Sequence, residues 1–407
     1  MYSNYNLKKS INMKKNLFSF AVMLTGAALL TGCMNSDDDT PTTWQGLVSS
    51  GAYVVCGGYQ DQPGSLSYFE YKTETVEQQV FQTKNGRQLG NGGNDAIVYG
   101  SKMYIVVSDE NTIEVVNPKT GASIRQINMI GLAGEQGVNP RHITAANGVV
   151  YVSTYGSSSC EYDENGNMVT SGKGYVVALD TLSFGMKNYY TVGSYPEGVY
   201  VTSEKLYVAN SDNGAGINAS ISIINLTSGA ETLKKDTNIR NPQDVVALNN
   251  GAYFILDWGE CDDSGKQMNA GVYLVEGDVV SKRIDNATMW VPISFSNGYY
   301  TSSYIYTVNA PKGSSTVTYE RYDLASGSRM TFTTDGVFSP TALGVDPISG
   351  YVLIGSYRDG GSNQPDYAAN GYVKVYDPSN GRCLKQFDCG VRPSAFVFNV
   401  GIETYTY

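Results

Sequence analysis

The sequence contains a single histidine, His142, in 407 residues, which argues against a histidine-based metal cage and against a Ser-His-Asp enzyme. Positive charge is also scarce, because 28 Lys and Arg face 38 Asp and Glu, and the net charge of −10 makes nucleic acid a poor partner. None of the six cysteines forms a C-x-x-C motif, so a zinc or thiol redox site has no support. The 45 glycines follow no strict period and aromatics make up 12% of the chain, which excludes a collagen-like or simply disordered protein.

The first 32 residues have the pattern of a secretory signal. Lys14 and Lys15 follow Met13, and an apolar stretch then runs over residues 17–30. This stretch is too short to span a bilayer comfortably and ends in small residues, as secretory signals do. The residues before Met13 are compatible with an over-long assignment of the start.

The signal ends in a cysteine that we expect to be lipidated. Residues 30–33, with the sequence Leu-Thr-Gly-Cys, resemble a bacterial lipobox, whose chemistry needs small residues at the cut and a thiol for the lipid; Cys33 is the predicted lipidation site. The alternative is an ordinary signal with a chance cysteine. An acidic run at residues 37–39 follows and resembles the surface-export signal of Bacteroidetes lipoproteins. We therefore predict a signal peptide over 1–32, a flexible acidic tether over 33–45 and a folded domain over 46–407.

A unit of about fifty residues recurs through the rest of the chain. It opens with an X-Pro step, continues with an apolar run, a turn and a second strand, and closes after a polar loop with a third strand ending in Asp or Asn. The openings lie at residues 94, 140, 196, 242, 292, 340 and 393, the first of them without proline. Four-strand units of this period predict β-propeller blades, and the even spacing argues against a sandwich pair or a β-helix.

The two ends of the chain complete the repeat count. Only one strand, over 394–399, follows the last opening, and the N-terminal part starts at a second strand over 52–56, followed by strands over 67–71 and 76–81. Joining these segments closes one blade and removes the exposed sheet edges. The predicted fold is therefore all-β: a seven-bladed β-propeller with its last blade closed by both termini.

The lipobox, the acidic tether and the repeated Pro-x-x-Val, Tyr-Val-Ala-Asn and Val-Asp pattern resemble those of the YncE-like seven-bladed β-propellers of Bacteroidetes. Within that group the chain looks most like the BtuG-type surface lipoproteins. The resemblance implies a cobalamin or other cobamide as transported ligand, and a TonB-dependent, BtuB-like outer-membrane transporter as partner. It also implies anchoring to the outer membrane at the cell surface. Composition by itself indicates no cobalt chemistry.

Residues that open the first strands and end the second strands of propeller blades meet at one face of the channel. They mix aromatic rings, amides and charges, which suits a large flat ligand with amides at its edge. The predicted ligand-binding residues are Tyr59, Asn94, Arg141, His142, Tyr155, Glu197, Asn210, Gln243, Trp258, Tyr357, Arg358 and Arg392, with Asp109, Asp212 and Asp257 nearby. Insertions over 156–173, 259–270 and 363–370 enlarge this face.

Several of these residues have a plainer interpretation. The aromatic residues would also fit between blades, Asn94 would also cap a turn, and a hydrogen-bonded His142 is favoured over a cobalt ligand. The acidic loops around Asp163 and Asp262 lack the glycine and closing glutamate of a calcium loop and are expected to be solvated hairpin tips.

The sequence predicts binding rather than catalysis, with no catalytic residue, metal or cofactor. One enzymatic alternative is a hydrolase or lyase that uses Asp109 and Asp257 as acid and base across the channel. The stronger alternative is a propeller scaffold that grips a protein or glycan. Five cysteines follow Cys33; the odd number leaves at least one free thiol, and Cys383 and Cys389 lie too far apart along one strand to pair with each other.

Overall fold

A computed structural model describes residues 43–248, 250–291, 295–296, 299–300 and 304–406. The predicted signal, Cys33 and the acidic run lie outside the described residues, as do Pro292 and the turn residues 297–298. Strands dominate what is described, and the helices are short: Val80–Asn85 and Met129–Ala133 are α-helical, and Gly134–Gly137 and Asp212–Gly214 are 3-10 turns. No helix in these ranges is long and apolar enough to cross a membrane.

Within the described ranges, seven antiparallel sheets contain four strands or more, and we call them blades 1 to 7. From the innermost to the outermost strand, blade 1 comprises Gly93–Tyr99, Lys102–Val107, Thr112–Val116 and Ser123–Asn128; blade 2 Pro140–Ala146, Val149–Thr154, Gly174–Asp180 and Met186–Val192; blade 3 Pro196–Val201, Lys205–Asn210, Ser220–Asn225 and Glu231–Lys234; blade 4 Pro242–Ala247, Tyr253–Asp257, Gly271–Glu276 and Val279–Asp285. Blade 5 comprises Met289–Val291, Tyr304–Asn309, Thr318–Asp323 and Arg329–Thr331; blade 6 Ser339–Val345, Val352–Asp359, Asn370–Tyr376 and Cys383–Val391; blade 7 Pro393–Thr406, Thr43–Cys56, Ser65–Glu70 and Thr75–Glu77.

The innermost strands of successive blades lie side by side and form a ring around a central channel. Blade 7 contacts blade 1 on one side and blade 6 on the other, so the series returns to its start. Between blades 4 and 5 the link includes a hydrogen bond from Trp290 Nε1 to Asp244 Oδ2 at 2.7 Å. The predicted β-propeller is confirmed, and the channel mouth is where side chains from different repeats can meet.

The second and third strands of each blade supply most of the core. Lys102–Val107 is a near-continuous apolar run, and Met103 to Val107 are buried because neighbouring blades cover both faces of the sheet. The outermost strand of the same blade, Ser123–Asn128, carries mostly exposed polar residues. The apolar clusters lie between blades, so each repeat buries its faces only against its neighbours.

Blade 7 is built from both ends of the chain, as the sequence predicts. Thr43–Cys56 pairs antiparallel with Pro393–Thr406, from Cys56 opposite Pro393 to Thr43 opposite Thr406. The pairing begins three residues before the predicted domain start at 46. It continues past the blade as a two-stranded ribbon, in which residues 43–49 pair with 400–406.

The fourth strand of blade 7 is shorter than predicted. The sequence predicts a strand over 76–81, but the strand Thr75–Glu77 ends at residue 77 and the helix Val80–Asn85 follows. Gln79 takes a left-handed conformation with φ of 54°, which turns the chain. The turn buries Val80 and Phe81 in the cluster between blades 7 and 1, so packing rather than β-propensity decides the conformation.

The predicted opening of the fifth repeat at Pro292 is wrong. The innermost strand of blade 5, Met289–Val291, begins three residues before the predicted opening at Pro292, which itself lies outside the described residues. Thr288 occupies the opening position instead, and its N–H donates to Val308 O at 2.9 Å. An X-Pro step is therefore a frequent but dispensable feature of the opening, and the burial of Trp290 against blade 4 sets the register.

The turns and insertions follow the sequence closely. Asn147 and Gly148, at φ of 52° and 75°, form the tight turn expected between the first two strands of blade 2. Two predicted insertions form small hairpins, Ser159–Tyr162 with Met168–Ser171 and Glu260–Cys261 with Gln267–Met268. In the third, Pro365–Asp366 adds a short strand to blade 6.

In the acidic hairpin tips, aspartate side chains accept hydrogen bonds from nearby backbone N–H groups. Asp163 Oδ1 accepts N–H bonds from residues 165 and 167, and Asp262 Oδ1 accepts them from residues 264 and 266. These bonds stabilise tight turns.

The five cysteines of the described residues, Cys56, Cys160, Cys261, Cys383 and Cys389, are all free thiols.

Candidate functional site

A cavity of about 940 Å³ opens at the channel mouth, where the innermost strands begin. All seven blades contribute to its wall, with polar residues near the strand starts and apolar residues deeper in the channel. Eight of the twelve predicted ligand-binding residues line it: Asn94, Arg141, His142, Glu197, Gln243, Trp258, Tyr357 and Arg392. Their positions within the repeat were enough to predict that these residues lie close together.

Two further predicted residues stand next to the cavity without lining it. Tyr155 lies behind Arg141, whose Cζ is 4.9 Å from the centre of the Tyr155 ring. Tyr59 lies at the outer rim, 38% exposed, with its ring 6.1 Å from that of Tyr367. Tyr367 in turn packs edge-on at 5.0 Å against Tyr357, which does line the cavity.

The structure places the last two predicted residues elsewhere. Asn210 is fully buried inside blade 3, where its Nδ2 donates to Ser220 Oγ at 3.1 Å and Ser222 Oγ at 2.9 Å. Arg358 turns away from the channel, pairs with Asp388 and donates from Nε to Asn370 O at 3.1 Å. Asn210 is the last residue of the second strand of blade 3, and its side chain bonds to the neighbouring third strand and not to a ligand site. Arg358 is held away from the cavity by its ion pair with the outermost strand of blade 6.

The proposed acid–base pair of Asp109 and Asp257 is not assembled at the cavity. Asp257 is fully buried and accepts N–H bonds from Arg240 at 3.1 Å, Asn241 at 2.6 Å and Gly259 at 3.1 Å. Burial raises its pKa to about 6, against the opposing effect of these hydrogen bonds. Asp109 is exposed, and neither residue lines the cavity wall. Asp257 therefore secures the loop that precedes the innermost strand of blade 4.

His142 lies between two carboxylates at the centre of the site. Its Nδ1 is 3.2 Å from Asp95 Oδ2, and its Nε2 is 3.6 Å from Glu197 Oε2. Burial lowers the pKa of His142, but the hydrogen bonds to Asp95 and Glu197 outweigh it and raise the pKa to about 10. The ring is therefore an imidazolium at neutral pH, with both nitrogens protonated. Such a ring has no lone pair for a metal, so the structure favours the hydrogen-bonded interpretation over cobalt ligation.

Glu197 joins the neighbouring cations into one network. Its Oε2 accepts from Arg141 Nε at 3.0 Å, and its Oε1 accepts a short hydrogen bond from the Tyr155 hydroxyl. Burial raises the pKa of Glu197, but the charges of Arg141 and His142 outweigh it and the pKa falls below its usual value. Arg141 and His142 are thus both neutralised by carboxylates from neighbouring blades.

Asp95, Asp244 and Trp290 also line the wall, although the sequence does not single them out as binding residues. Asp244 accepts the indole N–H of Trp290, and burial raises the pKa of its carboxyl group. Asp95, His142 and Asp244 are each the second residue after the first residue of their innermost strand. A strict superposition of the repeats at that position would have found both aspartates. Trp290 was hidden by the misplaced opening of the fifth repeat.

Replacing His142 with Gln should destabilise the fold more at low pH than at high pH. The histidine pKa is raised from 6.5 to about 10 on folding, so its stabilising effect is complete below about pH 6.5. The effect is lost as pH rises through about 10. Urea unfolding at pH 6, 8 and 10 should show the difference in free energy of unfolding between wild type and His142→Gln shrinking with pH. Arg283→Gln, which breaks an outer pair with Glu276, is the control with a pH-independent difference. A constant difference for His142→Gln would contradict the charged network.

Fold and site together define a class: a ring-shaped β-propeller whose channel mouth forms a polar and aromatic binding cavity. Residues 50–399 match the family model described as Domain of unknown function (DUF5074), and the chain belongs to this family. No curated protein matches the chain.

Solved structures share the fold at low sequence identity. A candidate 6-phosphogluconolactonase from Bacteroides uniformis is 11% identical with a TM-score of 0.52, and the match covers 86% of this chain and 100% of that one. The hydrazine synthase of Kuenenia stuttgartiensis is 13% identical with a TM-score of 0.50, covering 77% of this chain and 96% of that one. At such identities the similarity concerns the fold alone.

Proposed function

We propose that this protein is a surface-anchored lipoprotein that captures cobalamin or a related cobamide and passes it to a TonB-dependent outer-membrane transporter. The observation that carries the proposal is the convergence of eight predicted binding residues, from six different blades, on one open cavity. A wide ligand needs contacts from many directions, and a ring of blades supplies them where a single blade does not. The resemblance to BtuG-type lipoproteins supplies the ligand class.

The chemistry of the cavity wall suits such a ligand. A corrin has a broad apolar body with amide arms at its edge. Trp258, Trp290 and Tyr357 offer apolar ring area from blades 4, 5 and 6. Asn94 and Gln243 bring side-chain amides from blades 1 and 4, and these can exchange hydrogen bonds with amide arms. The proposed role is binding, and the carboxylates of the wall are engaged with His142, Arg141 and Trp290.

A propeller scaffold that grips a protein or a glycan is the second candidate. The observation that favours it is the exposure of apolar residues on the insertion loops. Tyr162, on the hairpin of blade 2, is 70% exposed, and Tyr367, beside the rim of the cavity, is 48% exposed. Exposed aromatic residues are enriched at protein interfaces. In the cobamide proposal the same loops are available to contact the transporter.

Calorimetry with cyanocobalamin tests the proposed function. The purified protein should release or take up heat on titration, and red ligand should co-elute with it in gel filtration. No heat and no co-elution at micromolar concentrations would contradict the cobamide proposal and leave the scaffold candidate ahead. His142→Ala should leave the visible spectrum of the bound corrin unchanged, because an imidazolium held by two carboxylates does not ligate cobalt.

The location is tested separately from the ligand. Cys33→Ala should prevent lipidation and release the protein from the membrane fraction. Replacing Asp37, Asp38 and Asp39 with Ala should hold the lipoprotein inside the cell envelope, since the acidic run is the predicted export signal. Protease shaving of intact cells reads out both, with Ser36→Ala as a matched tether control. Wild-type protein that resists shaving would contradict surface exposure.

A further inference from the structure

Arg392 differs from the other cations of the cavity in its partners. Among the described residues, Arg141 pairs with Glu197 and His142 lies between Asp95 and Glu197, whereas Arg392 has no carboxylate within ion-pair distance. Its guanidinium makes a single hydrogen bond in the described structure, from Nη2 to Gly57 O at 3.5 Å. Its Nε is buried and has no hydrogen-bond partner there. Because no carboxylate of the described residues neutralises its charge and the side chain lines the cavity, this guanidinium is suited to bind an anion there.

The backbone at Arg392 has a conformation that is unfavourable for a long side chain. Arg392 directly precedes the innermost strand of blade 7 and has a left-handed φ of 57°. The corresponding positions in blades 1, 2 and 3 are Gly92, Asn139 and Tyr195, all with positive φ. Glycine and asparagine adopt this conformation most easily, whereas a long side chain such as arginine is strained there. Blades 1 and 2 carry an unstrained residue at this position, whereas blades 3 and 7 carry the longer side chains of Tyr195 and Arg392.

The guanidinium of Arg392 packs directly against the backbone of Gly57. A Cβ added at Gly57 would overlap Arg392 at Nε, Nη2 and Cζ. Gly57 N–H in turn donates to Arg392 O at 2.8 Å. The glycine thus allows the guanidinium to lie flat against the backbone at the cavity wall, and any larger residue would displace it.

Aromatic rings stand on the same side of the cavity. Tyr357 is close enough to Arg392 that the positive charge opposes the rise in the Tyr357 pKa caused by burial. Tyr367 packs against Tyr357, and Tyr59 follows at the rim, so three tyrosine rings lead outward from the arginine. This combination offers a cation for a charged group and ring faces for a flat organic body.

We infer that Arg392, backed by Gly57 and flanked by Tyr357, forms an anion subsite that binds the phosphate or carboxylate of an organic ligand with a flat ring. The inference rests in part on the proposed function, because it assigns one end of the same cavity to the charged group of the ligand. It adds that the ligand carries an anion and that blade 7 fixes its orientation.

Small aromatic anions test the subsite directly. Phenyl phosphate, benzoate and inorganic phosphate are titrated into the purified protein in low-salt buffer by calorimetry, because salt screens this interaction. Phenyl phosphate or benzoate should bind, and whichever binds more tightly identifies the anion. Arg392→Asn should weaken that binding about tenfold or more, since a charge-assisted hydrogen bond is lost. Tyr357→Ala should weaken the binding of phenyl phosphate but leave the binding of inorganic phosphate unchanged.

Stability and binding are separated by the choice of variant. Arg392→Asn places at this position the residue that blade 2 carries, so the melting temperature should not fall while anion binding is lost. Gly57→Ala keeps the charge of Arg392 but displaces its guanidinium, so it should also weaken anion binding. Arg283→Gln, on the outer strand of blade 4, removes an equal charge and should leave anion binding unchanged. Equal anion affinity in wild type and Arg392→Asn, or an equal loss in Arg283→Gln, would overturn the subsite.

The outcomes also separate the subsite from the proposed function. Anion binding that depends on Arg392, without any binding of cyanocobalamin, would support the subsite and contradict the cobamide proposal. Cyanocobalamin binding that is unaffected by Arg392→Asn, with none of the three small anions binding, would overturn the subsite alone.

Discussion

A chain truncated before residue 394 is expected to lose cooperative folding altogether. The deleted strand is the innermost strand of blade 7, and residues 51–56 pair with it through 393–399. Its Val397 is buried, and Phe396 and Phe398 pack on the cluster shared by blades 6 and 7. Without it the channel side of blade 7 has an unpaired edge and both neighbouring blades lose their covering surface.

Thermal unfolding followed by circular dichroism measures this effect, with a second truncation as the matched control. Removing only residues 400–407 takes away the ribbon beyond the blade and keeps the pairing of 51–56. Ile402 in that ribbon is 67% exposed, so little apolar burial is lost and the melting temperature should fall only slightly. A cooperative transition near the wild-type temperature in the shorter chain would mean that the ring closes without this strand.

Trp258→Ala is expected to weaken cyanocobalamin binding at least about thirtyfold, the largest loss of any single change in the cavity. The side chain follows the second strand of blade 4, is 40% exposed and lines the cavity. Its Nε1 donates to Thr288 O at 2.7 Å, which fixes the ring before the ligand arrives. A pre-organised aromatic anchor typically contributes about 2 kcal/mol or more to binding, and about 1.4 kcal/mol corresponds to a factor of ten.

Calorimetry gives the affinity change, and stopped-flow measurements should assign most of it to faster dissociation. Trp258→Phe keeps the ring face but loses the hydrogen bond to blade 5, so its affinity should lie between those of wild type and Trp258→Ala. Tyr162→Ala removes an exposed ring outside the cavity wall and serves as the matched control with unchanged affinity. Equal losses in Trp258→Ala and Tyr162→Ala would mean that the ligand does not sit in the channel mouth.

Much of the site could be predicted because residues at equivalent positions of successive repeats occupy equivalent places around the ring. Once the openings of the innermost strands are known, the residues at the openings or directly after them are expected to face the channel. Asn94, Arg141 and Gln243 were found in this way. The same reasoning failed in blade 5, because Thr288 opens the strand without a proline. The nearby Val291-Pro292 pair matches the X-Pro pattern of the other openings and is predicted in its place.

The chain by itself determined the β-propeller, the joining of both ends in one blade and most of the residues at the channel mouth. These follow from local patterns: strand periodicity, turn residues and a fixed repeat length. Only the tertiary structure decided which charges neutralise each other. Asp95, His142 and Glu197 belong to three blades, and their pairing depends on side-chain reach across the ring, which no local pattern encodes. For the same reason the structure alone distinguished Arg392, without a carboxylate partner among the described residues, from Arg358, which Asp388 holds outside the cavity.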